Sequence, residues 1–166
     1  TATPGEVALT CKWGGLTGNS IDVRSTHYAD DLLPVGLTLT IPAMSGGTTS
    51  PDLTAAIAAL QDYRATEIVL PFTDSNNMVL IEVEQAARWG FANMRDGQVV
   101  TAMRGTENQI TTWLASRNSE QVHTIGTTKD MTSPWVTAAM AGAAIESSAA
   151  TDPALPYTDI VLVGYK

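Results

Sequence analysis

Side chains able to do chemistry are few in this sequence: two histidines, His27 and His123, and one cysteine, Cys11. Any Ser-His-Asp relay must therefore use one of those two imidazoles. The Gly-x-Ser-x-Gly turn that exposes a nucleophilic serine between strand and helix does not occur. His27 precedes Tyr28-Ala29-Asp30-Asp31, a polar hairpin-like segment where a solvated ring is expected. His123 lies within QVHTIG, a short β-prone run, and reads as a sheet residue. Cys11 sits in another β-prone run with no cationic neighbour to lower its pKa. One cysteine and two widely separated histidines give no zinc-ligand spacing. The pair Asp30-Asp31 lacks the alternating oxygen ligands and glycine turn of a calcium loop. Asp74 and Asp96 fall at predicted element ends and read as capping or turn residues. Catalytic, cofactor-binding and metal residues are accordingly assigned as none.

Two glycine-rich loops could cradle a phosphate. Gly14-Gly15-Leu16-Thr17-Gly18-Asn19-Ser20 lacks the Lys-Ser/Thr pair of a P-loop and lies between two strand-like runs, not ahead of a helix. Ser45-Gly46-Gly47-Thr48-Thr49 does precede a helix, but no βαβ unit with a downstream ribose-binding acid surrounds it. Both read as turns, and no nucleotide cofactor is expected. Trp13, Trp89, Trp113 and Trp135 could stack on a sugar, but each falls in a predicted strand or helix stripe, where packing is expected. An enzyme of doubly wound type would instead hold its ligand at the carboxyl ends of the strands, near Thr73-Asp74, Arg104-Gly105 or Gly126-Thr127.

The elements that would position these residues follow from composition and periodicity. The chain has 166 residues, is 44% hydrophobic, and carries nine Lys+Arg against seventeen Asp+Glu for a net charge of -8. Only 16% of residues are charged, well below the roughly 25% usual for soluble domains. Twenty-three threonines and twenty-two alanines occupy much of that space, a composition suited to packing against copies of itself with little desolvation of ions. No apolar run approaches the ~20 residues of a membrane span. The acidic balance, without any Lys/Arg cluster, argues against nucleic acid and anionic lipid as partners. A lone cysteine excludes a disulfide-stapled scaffold. The sequence opens without Met and closes on Ile160-Val161-Leu162-Val163, so we expect a piece of a longer protein.

Residues 1–48 read as a small β-rich subdomain or insertion, from the runs at 7–13 and 21–26 and the alternating LTLTI at 37–41. From residue 49 to 166 the pattern is α/β. Ser50-Pro51 opens a helix with Leu53, Ile57 and Leu60 on one face. A strand follows near 67–72, then a helix capped by Asp74 or Ser75 and running to about Trp89. Further strands are expected at 98–103, 121–126 and 158–165. Thr106-Glu107-Asn108-Gln109 fits a capping box, and Ser133-Pro134 opens a last helix to about Ser148, rich in Ala and Gly. This alternation predicts a mainly parallel sheet flanked by helices.

The chain also resembles a known family along nearly its whole length. The stretches that carry the likeness are Lys12-Trp13-Gly14-Gly15-Leu16-Thr17-Gly18-Asn19-Ser20-Ile21-Asp22-Val23-Arg24, Gly36-Leu37-Thr38-Leu39-Thr40, Met44-Ser45-Gly46-Gly47-Thr48 and Pro51-Asp52-Leu53. They continue through Pro71-Phe72-Thr73-Asp74, Arg88-Trp89-Gly90, Asp96-Gly97-Gln98, Arg104-Gly105-Thr106 and Ser116-Arg117-Asn118-Ser119. In order and spacing they are similar to the central part of the tail sheath protein of Mu-like contractile phages and prophages. That resemblance implies a structural subunit and not an enzyme: hexameric rings stacked on a tail tube, bounded by baseplate and tail terminator, which contract to drive the tube through the host envelope. It further implies a virion component made in the bacterial host cytoplasm, with neighbouring sheath subunits and the tube protein as partners and neither nucleic acid nor membrane. The family's central region is called subtilisin-like, but no protease motif is present to carry over. Without the flanking regions of the longer family proteins, the piece itself is expected to be monomeric. The alternatives are a similar subunit of an R-type bacteriocin or other contractile injection machine, an α/β ligand-binding domain, or an enzyme.

Overall fold

A computed structural model describes residues 5–26, 31–128, 130–154, 156 and 160–164. The chain forms two compact units, Thr1–Pro51 and Asp52–Lys166.

In the first unit the described residues form a single regular element, a 3-10 helix at Leu16–Ser20, and no strand. This corrects the expectation of β-structure from the runs at 7–13, 21–26 and 37–41. An alternating pattern such as LTLTI marks a segment able to bury one face, but a ladder needs a second segment in register. Here the residues are exposed instead: Leu37, Leu39 and Ile41 all lie at the surface. What organises the unit is hydrogen bonding between its loops. Leu16 N–H donates to Thr49 O at 3.1 Å. The Asn19 side chain donates to Gly47 O at 2.9 Å, and its Oδ1 accepts from Gly47 N at 2.9 Å.

The second unit is an α/β fold with a three-stranded parallel sheet, β1 (Glu67–Leu70), β2 (Gln98–Arg104) and β3 (Val122–Thr127), in the order β1-β2-β3. Its helices are α1 (Thr54–Leu60), α2 (Ser75–Trp89), α3 (Glu107–Ala115) and α4 (Pro134–Thr151). Register pairs Ile68 with Val99 and Val69 with Val100 on one side, and Val100 with His123 and Thr101 with Thr124 on the other. Because side chains alternate along each strand, Leu70 and Val99 face α2, where Met78 and Ile81 complete a buried cluster flanked by Ile57, Phe72 and Trp113. The opposite face, including Glu67 and Val69, lies under α4. The small residues of α4 make this close approach possible, with Ala138 and Ala141 fully buried. At Gly142 a Cβ would come within 2.8 Å of Val69 Cγ2.

Most helix ends obey their sequence signals. The Asp74 carboxylate accepts from Asn77 N and caps α2. Thr106 and Gln109 form a reciprocal capping box at α3, and Pro134 takes the first turn of α4. Two expectations shift. The first helix begins at Thr54 and not beside Ser50-Pro51, because the Asp52 carboxylate accepts from Thr54 N at 2.9 Å and Thr54 Oγ1 at 2.7 Å and turns the chain there. Those bonds hold the Asp52 pKa below the usual carboxylate value. The strand expected at 158–165 is not seen over residues 160–164, which join no ladder, and its remaining positions lie outside the described residues.

Candidate functional site

The residues singled out for chemistry are dispersed among structural tasks. His27 and Asp30 lie outside the described residues, and Asp31 is exposed. His123 is exposed on the outer strand β3, opposite the fully buried Val100. Cys11 is a half-buried free thiol packed on Gly18. Asp74 caps α2, and Asp96 pairs with Arg64 at 2.8 Å. Trp89 and Trp113 each donate the indole N–H to a backbone carbonyl, of Gly97 at 2.7 Å and of Thr73 at 3.3 Å. Trp13 is exposed beneath Lys12, and Trp135 is half-buried in the first turn of α4. Among the described residues, no group of three or more His, Cys, Asp or Glu side chains could hold a metal ion.

The two glycine-rich loops turn out to be partners of each other. The Asn19–Gly47 clasp ties the first to the second, and a side chain at Gly47 would collide with Gly15 O. Their glycines serve a close approach of two backbones, and the polar groups between them are already paired.

At the carboxyl ends of the strands, where open α/β sheets usually bind ligands, several of the protein's own groups bond to one another. Trp113 closes over Thr73, Gly105 N donates to Thr127 O at 3.1 Å, and Arg104 donates to Asp130 O at 3.2 Å. Ile110 of α3 sits directly on Gly126.

A cleft of about 300 Å3 opens at the opposite, amino end of the sheet. Thr66 and Glu67 at the start of β1 form one wall, Ile145 and Glu146 of α4 another, and Trp89, Arg64 and Asp96 complete the rim. Glu67 Oε1 is fully buried without a hydrogen-bond partner. Glu146 Oε1 accepts a long hydrogen bond from Thr66 Oγ1 at 3.4 Å. Burial, and secondarily the nearby Glu146 carboxylate, push the Glu67 pKa up from 4.5 to about 7. Arg64, the one cation lining the cleft among the described residues, is bonded to Asp96. Burial and the neighbouring carboxylate both favour the protonated form of Glu67.

Sequence reasoning missed this pair, because Glu67 and Glu146 lie far apart in the chain and form no motif. One signal was available: Gly142 and Glu146, four apart, share a helix face, and Glu67 opens an otherwise apolar strand.

Comparison with known proteins points to one family. Residues 46–162 match the family of phage tail sheath protein central domains. Over 156 residues, 94% of this chain, the sequence is 34% identical to the Mu-like prophage FluMu tail sheath protein of Haemophilus influenzae. The chain spans about a third, 32%, of that relative's length.

Proposed function

The chain belongs to the phage tail sheath family, and from that premise we propose that it is the central part of a contractile sheath subunit that packs with neighbouring subunits in rings around a tail tube. The family match across residues 46–162 carries this reading, and the likeness to a prophage sheath protein over 94% of the chain supports it. In this reading the subunit is made in the host cytoplasm and works in the virion, by changing its packing and not by catalysis. The low charge fraction suits it, since interfaces that must break and re-form are easier to build from small polar and apolar residues than from desolvated ion pairs. Free energy for contraction would be stored in subunit packing, without a nucleotide.

An antibody raised against this chain and applied to contractile tails from the source bacterium provides the test. Gold label distributed along the tail between baseplate and terminator is expected; label confined to capsid or baseplate would overturn the proposal. We further expect the isolated chain to sediment as a monomer at micromolar concentration, and a stable ring at that concentration would refute this.

A further inference from the structure

The cleft at the amino end of the sheet joins two carboxyls on different elements, one on β1 and one on α4, with no free cation between them among the described residues. We propose that the Glu67–Glu146 junction is a proton-operated latch: it seats the second half of α4 on β1 while Glu67 is protonated, and loosens that half when Glu67 loses its proton.

The geometry gives the latch its moving part. In α4 the buried residues are Pro134, Thr137, Ala138, Ala141 and Gly142, all in the first half of the helix. Beyond Gly142 every residue is half-buried or exposed, so this half is the end expected to open ahead of the core. Gly142 brings the helix so close that its Cβ, if present, would lie 3.4 Å from Glu67 Oε1. One turn later comes Glu146.

Charge on Glu67 is therefore unfavourable twice over, through lost hydration and through Glu146. Among the described residues, the other charged side chains lining the cleft are Arg64 and Asp96, which pair with each other, so relief falls to a proton. From Pro134 to Thr151, α4 itself contains no Lys or Arg.

The direction of the switch follows. With the folded-state pKa raised from 4.5 to about 7, the native chain keeps a proton that the unfolded chain has already released. The stabilising contribution is complete below 4.5, is lost as pH rises from there through about 7, and changes no further above that.

Amide hydrogen exchange on the whole chain, corrected for intrinsic rates, tests the latch. Protection over residues 143–151 should fall about tenfold between pH 5 and pH 8. Protection in α2 should hold, and Glu67→Gln, which fixes the protonated shape, should remove the pH dependence. Equal losses in wild type and variant, or a loss spread evenly through α2, would overturn the proposal. Should Glu67→Gln fail to fold, the carbon-13 signal of the wild-type Glu67 carboxyl decides: a midpoint near 7 that drops in Glu146→Gln supports the latch, and a midpoint in the ordinary carboxylate range sinks it.

Discussion

In residues 52–166, Val99, Val100 and Thr101 of the central strand are completely withdrawn from solvent, as are Ala138 and Thr137 of the helix above them. Among the described residues of 1–51, by contrast, Gly18 alone is buried, while Val7 and Leu32 are 83% and 92% exposed. The second unit thus draws on apolar burial, a term that grows with the area removed from water. The first is shaped by specific hydrogen bonds such as the Asn19–Gly47 clasp, each contributing only about 1 kcal/mol net. Substitutions should therefore be costly in the second unit wherever they reach the core, and should act locally in the first.

The sharpest break of that contrast would come at Arg88. Its guanidinium is 5% exposed, pairs with Glu84 at 2.7 Å, and donates to Tyr63 O at 2.8 Å and Gln61 O at 3.0 Å. Arg88→Ala strips one carboxylate and two carbonyls of a shared donor, so urea unfolding should show a loss of about 3 kcal/mol. Arg88→Lys should restore only a small part, because a single ammonium cannot reproduce the fork. An unchanged midpoint would mean that the α1–β1 turn is not held by this residue.

Next in size is a change of opposite sign. Gln85 is 1% exposed on the inner face of α2, and neither its Nε2 nor its Oε1 has a hydrogen-bond partner. An unpaired buried amide costs free energy that an apolar side chain of similar volume does not. Gln85→Met should raise stability by about 1–2 kcal/mol in the same assay. A loss instead would show that the amide has a role in this core beyond filling space.

Gly142→Ala should act more weakly, through two opposed effects. Alanine gains about 1 kcal/mol of helix propensity over glycine. Its Cβ, however, would meet Val69 Cγ2 at 2.8 Å, and crowding a close-packed contact costs about 1–3 kcal/mol. The net expectation is a loss of about 1 kcal/mol, read by thermal unfolding. A gain would show that α4 can lift from β1 at little cost, which bears directly on the latch.

The helices and strands of the second unit were largely legible because their signals are local. Thr106 with Gln109, Ser133 with Pro134, and the apolar runs of β1 and β2 all act within a few residues. Where a competing local bond existed it won, as Asp52 shows by moving the start of α1 to Thr54. The Glu67–Glu146 junction was not legible, since it exists only once β1 and α4 are stacked. LTLTI misled for the converse reason: alternation reports a surface that could pair, while pairing also requires a partner.

The smallest effect is expected in the first unit, and it tests what the family resemblance rests on there. Two of the resembling stretches, one containing Asn19 and the other Gly47, are the pair that the clasp joins. Asn19→Ala removes a donor and an acceptor together, while Asn19→Asp keeps the acceptor for Gly47 N and loses the donor to Gly47 O. If the clasp shapes the unit, exchange of the Gly47 amide should speed up several-fold in Asn19→Ala and much less in Asn19→Asp, with a stability change below about 1 kcal/mol. Equal exchange in all three proteins would show that Gly47 is held by the backbone alone. The likeness between those loops and the sheath family would then reflect the glycines' need for close approach, and not the asparagine that bridges them.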